Sequence, residues 1–122
     1  MGAFDDLSSL DLQRIWDGVH ARVVHGDQIT LGVIELDPDS VVPEHRHENE
    51  QLGICLTGSL LFRVGDESRQ LAAGGTWSIP ANVPHEVHVG PEGAVVIDVF
   101  VPPRGDWRAA PVVESRGPRW PR

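Results

Sequence analysis

Two histidines one residue apart, His45 and His47, restrict what the middle of this chain can fold into. Alternate residues of an extended strand face the same side, so the two imidazoles act together only on a β backbone. Gln51 follows four positions after His47, and the apolar alternation Leu52, Ile54, Leu56 begins at once, ending in a Thr57-Gly58 turn. The stretch from Pro43 to Gly58 therefore reads as a metal site on the wall of a β barrel.

The flanking sequence carries the same β signature. His20, Arg22 and Val24 alternate with Val19, Ala21 and Val23, Gly26-Asp27 makes a hairpin turn, and Ile29 to Leu36 forms a long apolar strand before the turn at Asp37 to Ser40. Beyond Gly58, strands are expected at Ser59 to Val64, Ser68 to Leu71 and Thr76 to Ile79, with turns at Gly65 to Glu67 and Ala73 to Gly75. Pro80 to Pro84 is a rigid loop that delivers His85. Glu86 to Val89 and Ala94 to Val101 then close the sheet around a Gly90-Pro91-Glu92-Gly93 turn. No βαβ alternation occurs, and short strands at this spacing imply an all-β, double-sheet jelly roll.

The paired segments resemble the two motifs of the cupins. The first is a His-x-His pair, then Glu or Gln, then Gly after six further residues, and Gln51 to Gly58 fits that spacing. The second is Gly, five residues, Pro-x-Gly, two residues, His, matched by Gly74, Pro80, Asn82 in place of the second Gly, and His85. Asn tolerates the positive φ of a tight turn, and Asp39 likewise stands where the first motif opens with Gly. The resemblance implies a jelly-roll barrel, also called a double-stranded β-helix, spanning residues 19–104. Residues 1–18 form a short lead-in, irregular or briefly helical, in which Ser8-Ser9 caps a turn before Leu10-Asp11. Residues 105–122, rich in Pro and Arg, form an extended tail that is mobile or docks through Trp107 and Trp120, on a second subunit among other surfaces.

The resemblance also implies that His45, His47, Gln51 and His85 ligate a metal. Three imidazoles and one oxygen suit a divalent transition ion such as Ni, Fe, Zn or Mn better than Ca or Mg. Glu50 is the alternative oxygen ligand if the strand bulges at this point. His20, His25 and His88 read as strand-surface or structural residues, Cys55 as a small core residue, and the four Trp as packing.

Composition narrows the partners. The 122 residues hold one domain, and a formal net charge of -8 argues against nucleic acid or an anionic membrane as partner. A single cysteine excludes an internal disulfide, no apolar run approaches ~20 residues, and the acidic N-terminus has no signal-like core, so a cytoplasmic protein is expected. The chain has neither Lys nor Tyr, which excludes Schiff-base chemistry and a tyrosine acid or base.

A charged Asp98 inside the run Val95 to Val101 is costly unless it faces a polar cavity or a partner. Alternation sets Asp98 and Phe100 on one face, and Arg104 follows Pro102-Pro103, where it can fold over the mouth and grip a carboxylate. An Asp98 to Arg104 ion pair with a core Phe100 accounts for the same residues. The pattern Asp-Val-Phe-Val-Pro-Pro-Arg-Gly-Asp, with Pro-Glu-His-Arg-His-Glu-Asn-Glu-Gln and Ile-Pro-Ala-Asn-Val-Pro-His, resembles the pectin-degradation cupins of the KdgF family. That resemblance implies a metal-dependent isomerase converting cyclic 4,5-unsaturated uronates to linear keto acids, with Asp98, Phe100 and Arg104 in the active site and a small anionic substrate. Cupins commonly pair, so a homodimer is expected. A polyketide cyclase-like cupin, an iron-dependent dioxygenase, and a barrel that binds a small acid without turning it over are the alternatives.

Overall fold

Eight strands form in the computed structural model, which describes residues 2–121. They are β1 (Gln13–Trp16), β2 (Val19–His25), β3 (Thr30–Leu36), β4 (Val41–His45), β5 (Glu50–Val64), β6 (Glu67–Leu71), β7 (Thr76–Ile79) and β8 (His85–Val101). Short 3-10 helices at Leu7–Ser9 and Gly105–Ala109 flank them. Every strand pairing is antiparallel.

β5 and β8 are the frame. Residues 50–58 of β5 pair with 94–101 of β8, and residues 60–64 pair with 85–89. The first of these double strands carries β3, β2 and β1 on its β8 side and β7 on its β5 side, whereas the second carries β4 and β6. One hydrogen-bonded sheet is thereby folded into two facing halves, the jelly roll expected from the strand pattern. Ala21, Ile34 and Leu36 from one half meet Leu60, Phe62 and Val87 from the other in the core.

The fold in the sheet is made by glycine. Gly58 and Gly93 both have positive φ, +82° and +77°, and a Cβ on Gly58 would lie 1.9 Å from the Gly93 carbonyl oxygen. No other residue can stand there. The expected turns at Thr57-Gly58 and Gly90 to Gly93 are therefore corrected. Residues 90–93 bulge between Val89 and Ala94, and both strands bend there yet stay paired with each other on either side. A Gly-Pro cluster announces a bulge as well as a reversal.

Asp39 and Asn82, which occupy motif glycine positions, are the two non-glycine residues with positive φ among the described residues, at 60° and 64°. The lead-in differs from expectation in two ways. Asp6, not Ser8-Ser9, caps the first turn, its carboxylate accepting from the Ser8 amide at 3.1 Å. Gln13–Trp16 is a strand, too short to show a period-2 pattern in sequence. Among the described residues no helix is long and apolar enough to cross a membrane.

The Pro- and Arg-rich end lies along the chain's own barrel. Val112 bridges to Gln13, Trp107 is buried, and Glu35 on the outer face of β3 gathers the rest. Glu35 is only 1% exposed. It accepts from Arg22 of β2 at 3.0 Å, from Arg116, and from the Arg119 backbone amide at 2.9 Å. Burial pushes this carboxyl up, but the Arg119 amide and the Arg116 and Arg22 guanidiniums outweigh burial and hold it below its ordinary value.

Removing the charge leaves Arg22 buried without a counter-ion, so Glu35→Gln should cost about 3 kcal/mol at neutral pH in urea unfolding. A carboxylate with a lowered folded pKa stabilises above its ordinary value of 4.5 and loses that contribution as pH falls through the folded value. The variant's stability should accordingly fall less steeply than wild type on acidification.

Candidate metal centre

Three imidazoles converge at one end of the barrel. His45 ends β4 and sits directly opposite His85 at the start of β8, with ring centroids 4.2 Å apart. His47 follows in the β4–β5 connection, 4.9 Å from the His85 ring. The Asn82 amide donates to the His47 carbonyl at 2.8 Å, tying the loop before His85 to the loop that carries His47. The ligand atoms of the three lie within 4.8 Å of one another.

Local backbone fixes the tautomer of each ring. His45 Nδ1 lies 2.8 Å from the Pro43 carbonyl, His47 Nδ1 lies 3.0 Å from Asn49, and His85 Nδ1 lies 2.9 Å from Val83. Each Nδ1–H is the donor, so each Nε2 carries a lone pair. Burial lowers all three pKa values, that of His85 to about 4, which keeps the rings neutral at pH 7.

Gln51, 6% exposed on β5, completes the set. Its Oε1 lies 3.1 Å from His47 Nε2, while its amide group bonds to the Asp98 carboxylate. A carboxylate can only accept from the NH2 group, which orients the amide oxygen toward the histidines. Two acceptors then face each other, a contact that repels unless a cation sits between them. Their separation is close to the roughly 3 Å expected between adjacent ligands of one ion with bonds of about 2.1 Å. His85 Nε2 is buried with no hydrogen-bond partner, and an unsatisfied buried acceptor costs about 1–3 kcal/mol. The donor set thus fits a divalent transition ion. Glu50 points to the outer face and is exposed.

Asp98 and Phe100 of β8 and Arg104 beyond it line the same cavity as His45, His85 and Gln51. Asp98 is 5% exposed, and burial raises its pKa to about 6 despite bonds from Gln51 and Trp77. Phe100 stands edge-on to His47 at 5.8 Å. Arg104 does not pair with Asp98. Its guanidinium lies 4.8 Å over Phe100 and 4.6 Å over Trp107, and Nε and Nη2 donate to Asp106 at 3.0 and 2.9 Å. Nη1 is left uncommitted. The cavity is about 60 Å³, room for several waters, and its remaining walls are largely apolar. A hollow of about 300 Å³ shares Ile15, Trp16, Arg104 and Trp107 with it.

Several participants are not evident from motif spacing. Trp16, from the lead-in, packs against His45 with the rings tilted and their centroids 4.8 Å apart. Asn49 donates to the Pro102 carbonyl at 2.5 Å, and Thr30 Oγ1 accepts the Arg104 amide at 3.0 Å, so both hold the Arg104 segment. Trp77 was expected only to pack, yet its Nε1 donates to Asp98 at 2.7 Å; the signal is that a buried indole needs an acceptor. His88 is half-exposed and faces Glu86, His20 lies on the opposite face of β2 from Val19 and Ala21, and His25 ends that strand with its Nδ1 3.0 Å from Thr30 Oγ1. Cys55 is 1% exposed and burial raises its thiol pKa, as suits a core residue.

Replacing His47 by Ala should abolish stoichiometric metal binding, measured by elemental analysis after loading, with the β circular-dichroism spectrum retained. The affinity loss should exceed the roughly 10–100-fold that loss of an outer partner costs.

With this geometry in view, the likeness to known proteins is specific. An uncharacterized protein of Streptomyces coelicolor is 28% identical over 98 residues, spanning 80% of this chain and 93% of that protein. The pectin degradation protein KdgF of Dickeya dadantii is 25% identical over 97 residues, 78% of this chain and 88% of that one. The solved structure of KdgF from Halomonas sp. superposes with a TM-score of 0.79 at 25% identity, covering 87% of this chain and 98% of its own. The cupin domain model matches residues 32–100, more than half of the chain and inclusive of the three histidines and Asp98, and the protein belongs to the cupin domain family.

Proposed function

We propose that this cupin is a metal-dependent isomerase that opens cyclic 4,5-unsaturated uronates to linear keto acids, with a Ni, Fe, Zn or Mn ion held by His45, His47, Gln51 and His85. The observation that carries the reading is the convergence of a buried carboxyl, an aromatic ring and a guanidinium, Asp98, Phe100 and Arg104, on the cavity beside the three histidines. The likeness to the pectin degradation protein of Dickeya supports it.

The substrate is an enol ether that bears a hemiacetal and a carboxylate. Opening breaks the bond between the anomeric carbon and the ring oxygen, the hemiacetal O–H loses its proton as the anomeric carbon becomes an aldehyde, and the ring oxygen leaves as an enolate. A proton added to the neighbouring ring carbon then gives the ketone, so the whole is an isomerisation with no oxidant and no net proton. A bound divalent ion supplies Lewis-acid polarisation of a substrate oxygen. Asp98 takes the proton from oxygen and returns it to carbon. Arg104 offers Nη1 to the carboxylate, already oriented by Asp106 and by the two adjoining rings it lies against. Phe100 packs on the ring, and the apolar inner walls limit water around the reacting atoms. The ring's reacting edge enters the small cavity while its bulk occupies the hollow beside Trp16 and Trp107.

A second reading draws on those apolar walls, formed by Ile34, Leu36, Val42, Leu60 and Val96 among others. They suit an aromatic, polyketide-like ligand. Saturable binding of such a compound without any effect on uronate would favour it.

The deciding assay follows the enol-ether absorbance of lyase-generated unsaturated uronate with metal-loaded protein against a chelator-treated control. Acceleration should require metal. Asp98→Asn should keep its metal and lower kcat by about 100-fold or more. Arg104→Ala should chiefly raise KM, by roughly 10-fold or more, for the carboxylated substrate and not for a neutral analogue.

A further inference from the structure

Asp98 is held by a device that crosses a whole strand. Pairing registers set Trp77 on β7, Gly53 on β5 and Asp98 on β8 side by side in one row. Trp77 and Asp98 are therefore two strands apart, yet the indole Nε1 is 2.7 Å from Asp98 Oδ1. The contact exists because Gly53 leaves its place empty. A Cβ there would fall 2.1 Å from Trp77 Nε1 and 2.3 Å from Asp98 Oδ1, distances no real side chain shows. Any other residue at 53 would stand where the hydrogen bond now runs.

The indole is itself fixed. Trp77 is 8% exposed and packs on Phe62 with ring centroids 4.8 Å apart. Its five-membered edge has no freedom to follow a carboxyl that moves, so the direction of the N–H selects one orientation of Asp98. A core tryptophan needs only some acceptor. Reaching this one across a vacated strand position serves the carboxyl, since Gly in the middle of a strand costs about 0.5–1 kcal/mol relative to Ala.

We propose that Trp77 and Gly53 are positioning residues for the reaction, the indole N–H crossing the gap at Gly53 to hold the Asp98 carboxyl against the substrate cavity. The inference rests on the ring-opening reading for its kinetic arm and on geometry alone for its spectroscopic arm.

The test uses Trp77→Phe, which keeps the packing and removes the donor, and Gly53→Ala, which keeps both partners and fills the gap. Each should lower kcat by about tenfold or more while metal content and KM stay within about twofold, because what is lost is alignment and not binding. Combining Trp77→Phe with Asp98→Asn should be no worse than Asp98→Asn alone. Nitrogen-proton correlation spectra of the full chain supply the second readout. Of the indole signals, the one missing in Trp77→Phe should be shifted downfield and slow to exchange in wild type, and should move and exchange faster in Asp98→Asn and Gly53→Ala. Because Asp98→Asn retains every packing atom, that comparison stands even if the other variants misfold. A Trp77 signal indifferent to Asp98→Asn, a Trp77→Phe kcat within twofold of wild type, or multiplicative losses in the double variant would each overturn the proposal. A wild type without activity on uronate sinks the ring-opening reading, while the indole signal still decides the contact.

Discussion

The site depends on a strand that is folded in half. His85 begins β8 and Phe100 lies near its end. At about 3.3 Å per residue, fifteen residues of straight strand would hold them roughly 50 Å apart. Instead the His85 ring is 4.9 Å and the Phe100 ring 5.8 Å from the same His47 ring. The bend at Gly93, matched by Gly58 on β5, converts one pair of long strands into both walls of a cavity. The two strands stay paired on both sides of the bend, so the walls remain joined through it.

Into that closed interior the sequence sets an unusual density of polar atoms. Three Nε2 lone pairs and an amide oxygen meet with no proton among them, since each Nδ1–H is spent on a carbonyl two residues away. Such an arrangement lowers stability in the apo protein, and it persists because local backbone, not the ion, orients the rings. Asp98 is treated in the same way, its carboxyl met by Trp77 and Gln51. Arg104 lies against two adjoining aromatic rings and is pinned by Asp106. The groups are preorganised, and the free energy for holding them comes from the apolar core around them.

Much of this was legible in the chain. The spacing of His45 and His47 sets them on one face and the alternation of β2 marks its inner face, because both signals are local and periodic, whereas Gln51 and His85 joined them through the resemblance to the two cupin motifs. The sense of the Gly90 to Gly93 cluster was not legible, since the same residues permit a hairpin or a bulge and only the partner strand decides between them. Nor was the docking of the tail, which turns on Glu35, a carboxylate that in sequence is one acidic residue of an ordinary strand. Gly53 and Trp77 stand 24 positions apart and become neighbours only through register. An isolated glycine within an apolar strand does signal a close approach, but not of what.

The choice of glutamine at position 51 follows from the same neighbourhood. Its oxygen faces His47 and its amide group donates to Asp98, so one side chain serves both the histidine cluster and the carboxyl. A glutamate there would have nothing to donate and would set two carboxylates in contact inside a cavity with apolar walls. One of them would have to hold a proton or recruit a cation of its own. The neutral amide avoids that conflict and leaves a bound ion with one unit more of uncompensated positive charge. With an ion in place that surplus would fall beside the Asp98 carboxylate, while Asp106 already balances the Arg104 guanidinium at the cavity edge.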